Sequence, residues 1–355
     1  MQHIIQTMSK ECTVVENKEA KYVSSPDYNY AFNKHTGYFL RWGKTKKDDP
    51  QFSPFGNEIL DIEITTKCSG PGGKLCPWCY KSNTPSGINM SFDTFKAVLD
   101  KMLESNKVLT QIAFGSDAQA TSNPDLFKMM EYCRSVDIVP NITVADITDE
   151  TADKLVSLCG AVAVSRYDDK HICYDSVKRL TDRGLKQTNI HQLICRETLA
   201  NVYETIQDIK TDDRLKGLNA IVFLSLKQKG RGKTFTPLTQ EEFSDLVNTA
   251  LKENIRWGMD SCSACKCLKA VKDHSQYKQF EQCVEPCESG CFSLYIDVNA
   301  NVLPCSFAQD AEGWNTGINI LDCKDFVKGI WHHPRLVEFR NKIIANGRNC
   351  FLYNV

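Results

Sequence analysis

No stretch of this sequence is apolar for long enough to cross a bilayer. Its first residues, MQHIIQTMSKECTVVENKEAK, are interrupted by polar and charged side chains throughout. Neither a membrane span nor a secretory leader is therefore expected, and the default location is the cytoplasm. An excess of one charge is also missing. Lys and Arg number 43 against 44 Asp and Glu, so no global basic field draws the chain to nucleic acid. There is no internal repeat and no low-complexity tract. With 355 residues, the chain is long enough for a barrel-sized core plus an appendage.

What the sequence has in abundance is cysteine, 17 in all. The odd number cannot pair completely, and a reducing cytosol would not keep disulfides. In that setting clustered thiols bind metal or do redox chemistry. Isolated ones, at Cys12, Cys133, Cys159, Cys173 and Cys195, are expected to pack as small apolar side chains.

The chain divides by texture. Residues 1–57 form a lead-in, with a hairpin expected where YNYAFNKHTGYFLRWG places aromatic runs around a turn. From residue 58 to 255, strand patterns alternate with helical ones. EILDIEIT, VLTQIAFG, DIVPNITVA, GAVAVS, TNIHQLIC and NAIVFLSL read as strands. SFDTFKAVLDKMLES is an amphipathic helix capped by Ser91, and Thr239 with Glu242 has the spacing of a capping box. About six strand-helix units imply an α/β fold, a parallel sheet covered by helices in a partial barrel, with chemistry at the carboxyl ends of the strands. Residues 256–355 lose helical periodicity and hold nine cysteines between Cys262 and Cys350. They read as a small cysteine-rich, metal-binding extension.

Directly after the first strand of this core stands CSGPGGKLCPWCY, with Cys68, Cys76 and Cys79 in twelve residues. Three readings compete: a disulfide framework, a zinc site, and a redox cluster with an open coordination position. Cysteines spaced C-x-x-C can share a metal, and Gly70, Gly72 and Gly73 let a loop bring the third one round. A closed zinc site needs four protein ligands, whereas only three thiols are local and no histidine is near. Three thiolates on a four-iron cluster leave one iron free for another ligand. Trp78 can shield such a cluster from solvent.

On these residues the chain resembles the radical S-adenosylmethionine (SAM) enzymes, whose signature is three cysteines in the first strand-helix loop with an aromatic residue before the third. The first gap here is seven residues, where the common pattern has three. The resemblance implies a TIM-like partial (β/α)6 barrel and an oxygen-sensitive [4Fe-4S] cluster on Cys68, Cys76 and Cys79, with SAM on the fourth iron. It further implies reductive cleavage of SAM to a 5'-deoxyadenosyl radical that abstracts a substrate hydrogen. Gly115, Ser116 and Asp117 would stand for the family's Gly-Gly-Glu-like contact to the SAM amino group, with Ser and Asp as departures. Ser165 would approach the SAM carboxylate or ribose, and Arg166 could pair with the carboxylate. Asn189 and His191, which alternation puts on one face, are further SAM candidates. An ordinary strand-to-helix turn and polar rim residues are the plain readings of the same positions. LKQKGRGKT ends like a phosphate loop, but Lys227 stands where the leading Gly is needed, so it reads as a basic solvated loop.

The tail resembles the SPASM/Twitch auxiliary-cluster region of the same enzymes. FSLYIDV and NVLPCSF form an expected hairpin flanked by Cys291 and Cys305, with Cys287 as the alternative to Cys291. Cys262 and Cys350 would complete a four-thiolate site. One auxiliary [4Fe-4S] cluster is favoured over two, and zinc suits four thiolates as well. A flavodoxin or ferredoxin-type reductant, and a peptide, protein or small-molecule substrate, are the implied partners. Two other readings stand beside this one: a zinc-stapled, non-enzymatic binding module, and an iron-sulfur scaffold or electron-transfer protein.

Overall fold

A computed structural model describes residues 4–9, 12–311, 313–353 and 355. The lead-in is more than a hairpin. Strands β1 (Ile4–Ser9), β2 (Cys12–Glu16), β3 (Ala20–Ser24), β4 (Asn29–Asn33) and β5 (Phe39–Trp42) form a five-stranded antiparallel meander. The expected hairpin is β4–β5, with Phe32 opposite Phe39. Val14, Val23, Tyr30 and Phe32 are buried on one face while Tyr22 and Leu40 face solvent, the period-two pattern of a half-covered sheet.

The core alternates strands and helices: β6 (Ile59–Glu63), α1 (Phe92–Ser105), β7 (Gln111–Gly115), α2 (Leu126–Ser135), β8 (Val139–Val144), α3 (Asp149–Leu158) and β9 (Ala161–Arg166). There follow α4 (Lys170–Asp182), β10 (Thr188–Ile194), α5 (Leu199–Thr211), β11 (Ala220–Ser225), α6 (Gln240–Lys252) and a short β12 (Trp257–Met259). All neighbouring strands from β6 to β12 pair in parallel. Ser91 accepts the Thr94 N–H at the start of α1, and Thr239 and Glu242 close a reciprocal capping box on α6. Helix α1 buries Phe95, Val98, Leu99 and Met102 completely, each stabilising the core by about 1.5–3 kcal/mol.

The tail adds α7 (Ala264–Ala270), α8 (Tyr277–Cys283), the antiparallel hairpin β13 (Ser293–Ile296) and β14 (Asn301–Leu303), β15 (Ile318–Asn319) and α9 (Pro334–Ala345). It is not a separate layer. Strand β13 pairs in parallel with β6, extending the barrel sheet to ten strands in the order β12-β11-β10-β9-β8-β7-β6-β13-β14-β15. The sheet does not close: β12 is one edge, and β15 the other.

The N-terminal sheet lies at the amino ends of the barrel strands. Tyr30 Oη donates to the Val108 carbonyl (2.7 Å) and Lys21 Nζ to that of Leu109 (2.8 Å), both just ahead of β7. Gln187, just ahead of β10, donates to Thr36. The carboxyl ends carry the cysteine loop. Among the described residues no helix is long and apolar enough to cross a membrane.

Candidate active site

Side chains alternate across each barrel strand. Ile62, Phe114, Ile142, Val164, Ile190 and Phe223 are buried against the helices. Asp61, Ala113 and Asn141 are in register on the opposite, lumen face, and Ser165, His191, Val222 and Gly258 form a second lumen layer nearer the carboxyl ends. Burial pushes His191 down to about 4, partly countered by Asp260, so the ring is neutral at physiological pH. Burial pushes Asp61 up to about 6.

The cysteine loop leaves β6 and returns to α1 above this lumen. Gly70 has φ of +76°, and a Cβ there would stand 1.8 Å from the Lys74 carbonyl oxygen. Only glycine fits that turn. It sets the Gly70 N–H 3.3 Å from Cys68 Sγ, to which it donates. Cys76 lies within electrostatic reach of both Cys68 and Cys79, and burial raises its thiol to about 11, opposed by Tyr167 and Arg231. All three thiols are partly accessible, whereas Cys12, Cys133, Cys159, Cys173 and Cys195 are buried as expected.

Four elements fasten this loop. Gln119 Nε2 donates to the Gly70 carbonyl (3.0 Å), and Asp146 accepts the Gly72 N–H (3.1 Å). Trp78 stacks on Tyr167 with centroids 5.9 Å apart and meets the edge of Phe235 at 5.7 Å. Tyr167 in turn lies within hydrogen-bonding reach of Cys76 and Ser165. The segment after β11 is not a solvated loop. Arg231 N–H donates to the Cys79 carbonyl (3.0 Å), Nε to that of Cys76 (2.8 Å) and Nη1 to that of Asn83 (3.1 Å). Gly230 lies so close beneath that a Cβ would sit 2.4 Å from the Tyr80 oxygen.

The other sequence candidates are placed unequally. Gly115 and Ser116 are accessible, but Asp117 is 1% exposed and its carboxylate accepts the N–H groups of Gln119, Thr121 and Ser122 in its own loop. Ser165 faces the lumen opposite His191. Arg166 points the other way, into the helix layer, where Nη2 pairs with Glu204 at 2.9 Å. Asn189 lies near the amino end of β10, hydrogen-bonded to Asn219, one layer below Ser165.

In the tail, Cys262 is within electrostatic reach of Cys287 and Cys305, and Cys287 and Cys305 each of Cys350. Cys291, fully buried in the core, interacts electrostatically with Cys287 as well. Cys287 is held by reciprocal backbone and side-chain hydrogen bonds with Arg348. Cys323 lies apart, beside Lys101. The two thiol groups are linked by packing. Tyr80, next to Cys79, meets Phe307, two residues beyond Cys305, at 4.4 Å. Lys81 bonds Tyr295 (2.8 Å), Gln309 (2.6 Å) and Glu63 (3.1 Å).

Among the described residues no three His, Cys, Asp or Glu side chains are arranged to hold a single metal ion. Thiols are the donors of iron-sulfur clusters and of structural zinc sites alike. Sequence reasoning missed Asp61, Tyr167, Gln119, Asp146 and the Arg231 strap. Asp61 had a local signal, a charge at an alternating position of an apolar strand.

Structures of similar fold hold SAM. Native anSMEcpe with bound AdoMet and the Cp18Cys peptide matches with a TM-score of 0.57 at 14% identity, over 79% of this chain and 82% of that one. SuiB of Streptococcus suis bound to S-adenosylmethionine matches with a TM-score of 0.59 at 13% identity, over 84% and 72%. No protein-family model and no curated protein matches the chain. With its open parallel barrel, its cysteine loop at the carboxyl ends and its tail hairpin on β6, the chain has the fold of these two SAM-bound proteins.

Proposed function

We propose that this protein is a radical SAM enzyme that abstracts a hydrogen atom from its substrate in the barrel lumen. The observation that carries this reading is the Cys68–Cys76–Cys79 loop, strapped by Arg231 over a polar lumen. A [4Fe-4S] cluster on those three thiols, with SAM on the open iron, would supply reductive SAM cleavage. The chain's own part is to hold and shield that chemistry. The Gly70 N–H donates to Cys68 Sγ, Trp78, Tyr167 and Phe235 exclude water from one side, and Ser165 and His191 line the chamber below. Cys262, Cys287, Cys305 and Cys350 would hold one auxiliary cluster, with zinc the other occupant that four thiolates suit. A flavodoxin or ferredoxin-type protein of the cytoplasm would deliver the electron. A peptide or protein substrate is favoured by the peptide bound to anSMEcpe, a protein of similar fold.

The test uses anaerobically purified, iron- and sulfide-reconstituted protein, mixed with dithionite and SAM and assayed by mass spectrometry. Formation of 5'-deoxyadenosine, abolished by Cys79→Ala, is the expected result. Zinc in place of iron in the same sample, without nucleoside, would overturn the reading.

A further inference from the structure

Phe307 is a meeting point for both cysteine groups. It lies two residues beyond Cys305, and its ring is 4.4 Å from that of Tyr80, which follows Cys79. Its carbonyl accepts Tyr353 Oη (3.0 Å), three residues beyond Cys350, and Lys229 Nζ (3.4 Å). Lys227, paired with Asp260 two residues before Cys262, sets its ammonium 4.9 Å from the centre of the same ring. Cys79 and Cys350 are thus each joined to the Cys305 segment through a chain neighbour, and Cys262 through the Lys227–Asp260 pair.

Gln309 repeats the pattern. Its carbonyl also accepts Lys229 Nζ, and its Oε1 accepts Lys81 Nζ (2.6 Å), two residues beyond Cys79. Lys229 stands two residues before Arg231, which holds the Cys76 and Cys79 carbonyls. One short segment, 227–231, therefore grips the cysteine loop with one side chain and the tail with two. These contacts, rather than a strand ladder, hold residues 305–309. The segment lies between β14 and β15 and belongs to neither, and Cys305, Ser306, Phe307 and Gln309 are partly accessible. Ordering such a segment costs conformational entropy. Metal on Cys305 and Cys350 would order it, and groups that then pack on it lose less freedom of their own. Those groups are Tyr80, Lys81 and Lys229, at the border of the cysteine loop.

We propose that Phe307 and Lys229 couple the two cysteine groups, so that metal held by Cys262, Cys287, Cys305 and Cys350 tightens the hold of Cys68, Cys76 and Cys79 on theirs. By linkage the effect is reciprocal, with metal in the loop tightening the tail by the same factor. The coupling rests on the reading that both groups hold metal, and not on which metal.

The test is pulse alkylation of anaerobic, reconstituted full-length protein with iodoacetamide in the presence of a metal chelator, read peptide by peptide by mass spectrometry. A liganding thiol is labelled only after its metal has left, so the Cys79 peptide reports on the loop and the Cys350 peptide on the tail. Emptying the tail by Cys262→Ala with Cys287→Ala leaves residues 305–309 intact. It should speed labelling of Cys79 about tenfold, within the usual range of coupling between sites. In a Phe307→Ala background the same emptying should change the rate by about twofold at most, and Lys229→Met should shrink the difference as well. Phe307→Tyr, which keeps the ring, should retain it in full. A Cys79 rate that ignores the tail's occupancy, or a tenfold difference that survives both Phe307→Ala and Lys229→Met, would overturn the proposal. Iron and zinc measured on the same samples separate the two readings. Zinc in coupled sites counts against the radical reading alone, and iron in uncoupled sites counts against this one alone.

Discussion

Replacing Arg231 with Ala tests how the cysteine loop is held. The backbone N–H of residue 231 would still donate to Cys79, but the bonds to the Cys76 and Asn83 carbonyls, at 2.8 and 3.1 Å, would be lost. Hydrogen bonds from a charged donor contribute about 1.5–3 kcal/mol each. Arg231 is partly accessible, so the lower end applies and the loop loses about 3 kcal/mol of local stability. At 1.4 kcal/mol per factor of ten, the open-loop population rises about a hundredfold. The assay is release of iron from reconstituted protein to a coloured ferrous chelator under anaerobic conditions. It is best done with Cys262, Cys287, Cys305 and Cys350 replaced, so that only loop-bound iron is counted. Lys233→Ala, which removes the same charge from the same segment without touching those carbonyls, is the control. Iron should leave the Arg231→Ala protein about a hundredfold faster and the control at the wild-type rate. Equal rates in all three would refute the strap, even if the melting temperature of Arg231→Ala fell.

Three further outcomes are expected. Gly70→Ala should fail to retain loop iron while keeping the wild-type far-UV circular dichroism, because the added Cβ collides with the Lys74 carbonyl in a surface loop rather than in the core. Cys287→Ala should lose the tail's iron, whereas Cys291→Ala should keep it at the modest stability cost of a small core cavity, both read by iron-to-protein ratio. Asp61, raised from 3.8 to about 6, binds its proton more tightly folded than unfolded. Its burial therefore destabilises the protein progressively as pH rises from about 4 through 6. Asp61→Asn should gain about 2 kcal/mol over wild type at pH 7.5 relative to pH 4.5 in denaturant titrations, the full shift being reduced by lumen water; no pH dependence of the difference would contradict the assignment.

The features legible in the sequence are those written in neighbouring residues. Ser91 and the Thr239–Glu242 pair cap the helices they precede because capping needs only a few consecutive positions. The alternation in EILDIEIT and the cysteine spacing after it put a thiol-rich loop at the right end of a barrel strand. Strict alternation also separates Ser165 from Arg166: adjacent strand residues face opposite sides, so only one of them could reach the lumen. What could not be read depends on distant segments. Arg231 meets Cys76 across 155 residues. Cys287 and Cys291 both suit the spacing, and the hydrogen bond that Arg348 gives to Cys287 joins segments 61 residues apart. The pairing of β13 with β6 likewise joins segments more than two hundred residues apart.

The N-terminal meander has a consequence for the direction of approach. Anchored to Val108, Leu109 and Gln187, it lies across the amino ends of the barrel strands. A molecule bound in the lumen would therefore arrive from the carboxyl ends, past the loop that carries Cys68, Cys76 and Cys79.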